Sequence, residues 1–365
     1  MKVSLICSRC GRAFSAGEPI WRCRCGGFFD LVLAKPWAKQ ELAGSAAGMW
    51  RYRRTLPLNA DENIVSFGEG ATPLLRFAYN KKPVWLKLDY LFPTGSFKDR
   101  GASLLVSKMK ELRVQKAVED SSGNAGAAIA AYCARAGIQC EIYVPAQTLP
   151  AKIKQIEAVA AMVRLVPGTR EETARAALAA AETSYYAGHA WNPFFLHGVK
   201  TCAFELYEQL GEAPAAVFAP VGNGTLLLGL YIGFCELRAA GLIENLPALF
   251  GVQSSACAPL AEAFAHNLTE PATIRKGDTL ADGIAVAMPV RGGQILQAVR
   301  KSRGALLQVS ENEIAGSLGE LHRAGLYVEP TAAAAWAGYR HLCADSSLSP
   351  CVVVLTGHGL KHCGK

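Results

Sequence analysis

From about residue 84 onward, short apolar strand-like runs alternate with helix-like ones, and this alternation constrains the fold more than any other feature. The strand candidates are Val84–Leu88, Lys116–Glu119, Glu141–Val144, Met162–Leu165, Ala215–Val221, Ala248–Val252, Ala305–Val309 and Cys351–Leu355. Between them the pattern predicts helices over Asp99–Leu112, Ala125–Ala136, Ala151–Ala160, Arg170–Glu182, Gly198–Leu210, Thr225–Ala240, Gly293–Ser302, Glu311–Ala324 and Thr331–His341. Strands that recur with helices between them form parallel sheets flanked by helices. Such sheets place their ligands at the carboxyl ends of the strands.

A chain of 365 residues is too long for one small core and suits two α/β domains. Its 51% hydrophobic and 19% charged residues exclude wholesale disorder. The net charge of +8 is unevenly placed: residues 1–58 carry ten Lys/Arg against three acids, so the remaining 307 are nearly neutral. This basic stretch reads as a solvated surface, and a nucleic-acid partner is not expected. The charge-free run Ala213–Cys235 is long enough to span a bilayer, but Pro214, Pro220, Gly222, Asn223 and Gly224 interrupt it. It is predicted to be a buried strand, a turn and a buried helix, so no membrane partner is expected. Twelve cysteines in so long a chain do not make a disulfide scaffold, and Met1–Leu5 leads into a Cys-rich segment with no export signal. A reducing, cytoplasmic setting is the expectation.

The N-terminal segment, residues 1–34, reads as a separate zinc-ribbon-like module. Cys7 and Cys10 form one tight pair, Cys23 and Cys25 another, and glycines follow both pairs. Four thiolates on such turns suit a tetrahedral, structural Zn²⁺. Residues 35–65 read as a connector with a short helix around Lys39–Tyr52.

Four later stretches carry chemistry. In Phe92-Pro-Thr-Gly-Ser-Phe-Lys-Asp-Arg-Gly101, Ser96 and Asp99 have capping-box spacing, which starts a helix at about Phe97. Lys98 then lies in the first turn, where the helix dipole lowers a lysine's pKa and makes its amine a better nucleophile. A solvated lysine tolerating a small penalty remains the other reading. Glu119-Asp-Ser-Ser-Gly-Asn-Ala-Gly126 is a polar turn before a helix of small residues, and its hydroxyls and backbone N–H groups suit a carboxylate. The alternative is a plain turn with Asn124 as helix cap. Pro220-Val-Gly-Asn-Gly-Thr225 is a phosphate cup by the same logic, and its glycine spacing speaks against NAD or ATP. In Val352-Val-Val-Leu-Thr-Gly-His-Gly-Leu-Lys361 a buried strand ends in Thr356, whose hydroxyl faces the ligand edge or satisfies a nearby backbone group.

Taken together and in this order, these stretches resemble the threonine synthase family of fold-type II pyridoxal-phosphate (PLP) enzymes. Ser66-Phe-Gly-Glu-Gly-Ala-Thr-Pro-Leu-Leu75 and Pro93-Thr-Gly-Ser-Phe-Lys-Asp-Arg-Gly101 belong to the match, as does the Cys-rich start. The resemblance implies a tryptophan synthase β-like fold. A large PLP-binding domain would span residues 66–98 and 192–365, and a small mobile α/β domain residues 99–191. It implies that Lys98 forms the internal Schiff base with PLP and shuttles protons. It gives Asn124 to the ring's phenolic oxygen, and Ser122, Gly123 and Ala125 to the substrate carboxylate. Gly222, Asn223, Gly224 and Thr225 would cradle the cofactor phosphate, and Thr356 would face the pyridine nitrogen.

A hydroxyl does not firmly protonate that nitrogen, so the ring is a weaker electron sink and elimination or replacement is favoured over transamination. The implied reaction is O-phosphohomoserine plus water to threonine plus phosphate, a lyase step of amino-acid biosynthesis, in a possible homodimer. One position departs from the family. In His189-Ala-Trp-Asn-Pro-Phe-Phe-Leu196, Phe195 stands where an arginine for the substrate phosphate is expected. Phe offers no charge to a phosphate. Another cation such as Arg100, Lys152 or Lys154 then serves, or the substrate is an O-activated serine or a hydroxyamino acid.

Overall fold

The structure is a computed structural model that describes residues 3–33, 37–42, 44–148, 150–159, 161–342 and 348–362. In chain order its elements are β1 (Val3–Cys7), β2 (Ala13–Ser15), β3 (Phe29–Leu33), β4 (Leu74–Tyr79), β5 (Lys82–Lys87), α1 (Lys98–Glu111), β6 (Lys116–Glu119), α2 (Asn124–Ala136), β7 (Gln139–Pro145), α3 (Pro150–Glu157), β8 (Met162–Val166), α4 (Arg170–Ala180) and β9 (Tyr185–Tyr186). There follow α5 (Pro193–Val199), α6 (Thr201–Leu210), β10 (Ala216–Pro220), α7 (Thr225–Ala239), β11 (Ala248–Ser254), α8 (Pro259–Ala265), α9 (Gly292–Lys301), β12 (Leu306–Val309), α10 (Glu311–Arg323), α11 (Pro330–Leu342) and β13 (Cys351–Val354). The chain divides into two compact units. The described residues up to Glu69 join Lys98–Val199 in the first, and Gly70–Phe97 joins the residues from Lys200 onward in the second.

The first unit holds two sheets. A three-stranded antiparallel sheet, in the order β2-β1-β3, carries the N-terminal cysteines. A four-stranded sheet, β8-β7-β6-β9, is parallel throughout. The segment expected to hold one short helix over Lys39–Tyr52 instead makes two 3-10 turns, Lys39–Glu41 and Gly48–Thr55. Gly48 is the reason for the break. Its φ is +64°, and an added Cβ would lie 2.2 Å from the Glu69 carbonyl oxygen, so the chain turns there. Met49, Trp50, Leu56 and Leu58 then bury themselves with Leu104 of α1.

The second unit is built on a six-stranded sheet, β12-β11-β10-β13-β5-β4, parallel except for the hairpin strand β4. Its central strands are buried along their whole length, as strands covered on both faces must be. Trp336 of α11 packs on this sheet with Phe218, Phe250 and Val353. The charge-free run Ala213–Cys235 becomes β10, a turn and most of α7, and no described helix is long and apolar enough to cross a membrane. The helix expected over Gly198–Leu210 is two helices, α5 and α6, because its two ends pack into different units. Gly198 lies against the Arg100 carbonyl of the first unit, and Lys200 bonds Glu236 at 2.8 Å in the second.

Candidate active site

In the first unit, α1 begins at Lys98, whose side chain is half-buried. The expected capping box does not form, since the Ser96 hydroxyl accepts and donates no hydrogen bond. Ser96 instead pairs with Gly357 in an isolated bridge, so the backbone is set by that contact rather than by a cap. The Lys98 Nζ lies 5.8 Å from the centroid of the Phe195 ring. Phe195 on α5 is fully buried, and its ring presses on α1 where Gly101 leaves room. A Cβ at Gly101 would come within 2.4 Å of that ring. The residue expected to be cationic is thus an apolar wall beside the lysine amine. Of the cations named in its stead, Arg100 is fully buried in α1 and Lys154 is exposed on α3, while the Lys152 side chain lies outside the described residues.

The turn between β6 and α2 holds Ser122, Gly123 and Asn124 half-buried and Ala125 buried. Gly123, not Asn124, is the helix cap, and it offers no side chain to the first N–H groups of α2. Those donors face outward from a 13-residue helix with its positive end at the turn. Gly126 makes the tight turn possible, because an added Cβ would meet the Ser121 carbonyl oxygen at 1.9 Å. The arrangement suits an anion such as a carboxylate.

Two residues in the first unit escaped sequence reasoning. Glu119, at the end of β6, is buried and accepts the Ser121 N–H at close range on Oε2. Its Oε1 meets His189 Nδ1 at 3.0 Å, across 70 residues of chain. Burial pushes the Glu119 carboxyl up, opposed by the Ser121 N–H and by the charges of Arg170 and Lys98. Burial likewise pushes His189 well below the usual histidine range, aided by Lys98 and opposed by Asp120. Asp120 in turn accepts the Tyr186 hydroxyl at 2.8 Å and pairs with Arg170 at 2.8 Å. A carboxylate ending a strand and a histidine near an Asn-Pro pair were the only local signals.

In the second unit, Gly222–Thr225 joins β10 to α7. Gly224 has φ +71°, and a side chain there would strike Ile295 at 2.2 Å. A Cβ on Gly222 would lie 2.9 Å from the Ile284 Cα. Thr225 is buried as the first residue of α7, Asn223 is half-buried, and no side chain caps the 15-residue helix. This is a concave run of backbone donors at a helix start, the geometry that binds phosphate. After β13, Thr356 is 1% exposed and its hydroxyl has no hydrogen-bond partner. Ser96, 0% exposed, is in the same condition, and the next residue, Phe97, donates its N–H to the Thr356 carbonyl at 3.0 Å. A buried hydroxyl without a partner costs about 1–3 kcal/mol. Two such groups on adjoining segments suit a polar ligand atom, and with the Gly222–Thr225 donors of the same unit they fit the ring and phosphate of a PLP group.

The four N-terminal sulfurs lie within 4.8 Å of one another. Burial raises the Cys7 thiol, but the N–H groups of Cys10 and Arg9 overcome it and bring it down to about 6. The Cys25 N–H pulls the Cys23 thiol down, while burial and the neighbouring sulfurs carry it up to about 11. Sulfurs this close compete for protons until something replaces them.

Residues 65–357 match the family described as pyridoxal-phosphate dependent enzyme. The threonine synthase of Methanocaldococcus jannaschii is 33% identical, over 97% of this chain and 92% of that protein. The chain belongs to the threonine synthase family of pyridoxal-phosphate dependent enzymes. The threonine synthase of Methanosarcina acetivorans is 31% identical, over 98% of this chain and 92% of its own. Among solved structures, a fungal L-serine ammonia-lyase from Rhizomucor miehei superposes with a TM-score of 0.69 at 25% identity, covering 79% of this chain and 93% of that one. A threonine deaminase from Solanum lycopersicum shares the fold, with a TM-score of 0.70 at 21% identity over 89% and 90% of the two chains.

Proposed function

We propose that this enzyme is a threonine synthase, converting O-phosphohomoserine and water to threonine and phosphate. The similarity to threonine synthases along nearly the whole chain carries this reading. In it Lys98 Nζ is the point of covalent attachment and the group that moves protons at the substrate's α and β carbons. Its place in the first turn of α1 favours the neutral, reactive amine. The N–H groups and hydroxyl of Ser122, Gly123 and Ala125 hold the substrate carboxylate. Asn124 serves the cofactor's phenolic oxygen, and Gly222, Asn223, Gly224 and Thr225 hold its phosphate. Thr356 gives its unpartnered hydroxyl to the pyridine nitrogen. When bound, PLP supplies a conjugated electron sink, tempered here by a hydroxyl rather than a carboxylate at the ring nitrogen, which favours loss or replacement of a leaving group over transamination. We assign a structural Zn²⁺ to Cys7, Cys10, Cys23 and Cys25, and a cytoplasmic setting to a chain with this many free thiols.

Phe195 favours a second reading. A buried phenyl ring beside the Lys98 amine gives a substrate phosphate no counter-charge. In that reading the substrate is an O-activated serine or an unphosphorylated hydroxyamino acid. One assay separates them. Phosphate release from O-phosphohomoserine with threonine as product supports the first reading. A keto acid and ammonia from serine or threonine support the second. A PLP absorption band absent from wild type, or present unchanged in Lys98→Ala, overturns both.

A further inference from the structure

We propose that His189, held by Glu119, is a specificity-determining residue whose Nε2 accepts a hydrogen bond from the β-hydroxyl of the bound amino acid, or from the water that becomes it. The inference rests on the reading of Lys98 as the cofactor lysine.

The geometry begins with Phe195. Its ring has the Lys98 amine 5.8 Å from its centroid and the His189 ring 5.7 Å away at an interplanar angle of 62°. The histidine and the lysine therefore border the same apolar surface. The His189 side chain is 12% exposed, so it is largely enclosed but not sealed. Its Nδ1 is taken by Glu119 at 3.0 Å, whereas its Nε2 has no hydrogen-bond partner among the described residues. Glu119 also accepts the Ser121 N–H, so it acts as an acceptor on both oxygens. The hydrogen-bond network then assigns the imidazole proton to Nδ1 and leaves a lone pair on Nε2. Four charged groups act on this ring: Glu119 in direct contact, with Asp120, Lys98 and Arg170 around it.

A neutral acceptor in such a place discriminates by chemistry. A phosphate or a carboxylate offers only oxygen lone pairs, which Nε2 repels. A cation meets the same burial cost that already disfavours protonated His189. An uncharged hydroxyl or water is the donor that remains, and Phe195 excludes bulk solvent around it. Threonine as product and a hydroxyamino acid as substrate both carry such a group on the β carbon, whereas an O-activated serine does not. Glu119 acts through His189 as a positioning residue. An amide in its place would offer N–H to Nδ1, turn the tautomer and leave Nε2 a donor.

The test is ligand binding to the PLP-loaded full-length enzyme, read by the shift of the cofactor absorption band and by calorimetry. The probes are L-threonine, its β-epimer L-allo-threonine and L-2-aminobutyrate, which lacks the hydroxyl. Wild type is expected to prefer L-threonine over aminobutyrate about tenfold, equivalent to about 1.4 kcal/mol, and to distinguish the two epimers. His189→Phe and Glu119→Gln reduce that preference to within about twofold while aminobutyrate affinity holds, and His189→Gln, which keeps an acceptor, restores part of it. Preservation of the threonine preference and the epimer discrimination in both His189→Phe and Glu119→Gln overturns the inference, as does a Lys98-dependent band that no amino acid perturbs in wild type. Lack of a Lys98-dependent band removes the functional reading itself, and this inference with it.

Discussion

Thr356→Val separates folding from function at one atom. The wild-type hydroxyl is buried at 1% exposure with no partner in the protein, and valine replaces it with a methyl of similar shape. Removing an unsatisfied buried hydroxyl returns its desolvation cost of about 1–3 kcal/mol. At about 2 °C per kcal/mol for a long chain, the cofactor-free variant should melt roughly 2–6 °C above cofactor-free wild type. With PLP the order narrows, because the variant cannot bond the pyridine nitrogen and forfeits about 0.5–1.5 kcal/mol of binding. That corresponds to a PLP dissociation constant raised about 2- to 10-fold. Thermal melts with and without PLP, together with a titration of the absorption band, measure both effects. A variant that melts below wild type without cofactor, or gains as much as wild type on adding it, would refute the assignment of Thr356 to the cofactor.

Phe195→Arg places a cation where the ring is fully buried, so stability should fall by several kcal/mol. Under the second reading of the reaction it should nonetheless raise turnover of a phosphorylated substrate, and no gain in phosphate binding would count against the role given to that position. Chelating the Zn²⁺ proposed for the four cysteines should loosen residues 3–33 and change tryptophan fluorescence, because the Trp21 ring packs against Tyr186 with centroids 4.7 Å apart and edge-to-face against Trp191 at 5.6 Å. The PLP band should remain, and Trp21→Ala should cost about 3–5 kcal/mol of stability, read by chemical denaturation. At the start of α10, the backbone N–H of Ser310, its hydroxyl and His341 hold the Glu313 carboxyl at about 2, below the ordinary 4.5. A depressed carboxyl stabilises above its unfolded pKa, so this contribution is present above pH 4.5 and lost as the pH falls toward 2. Glu313 is 44% exposed, so the effect is modest. Glu313→Gln should flatten it in melts across that range.

The parallel strands were legible because both their faces are buried. Ala216–Pro220 and Cys351–Val354 read as unbroken apolar runs, and the folded chain covers them completely. β4 escaped notice because it is a hairpin edge strand with exposed positions, and β9 because two residues carry no period. The single helix expected over Gly198–Leu210 looked continuous in its apolar spacing. Its division follows from which unit each end packs into, which no local pattern encodes.

The sequence by itself determined the chemistry that is local. A lysine opening a helix, a glycine-rich turn after a buried strand and paired cysteines on tight turns each lie within a few residues, where backbone geometry follows from residue type. Only the tertiary structure decided what lies beside them. It brought His189 to Glu119 across 70 residues, set Phe195 against the Lys98 amine and left the hydroxyls of Ser96 and Thr356 buried without partners. Contacts of that kind depend on how helices and strands pack, and packing joins residues that the chain keeps far apart.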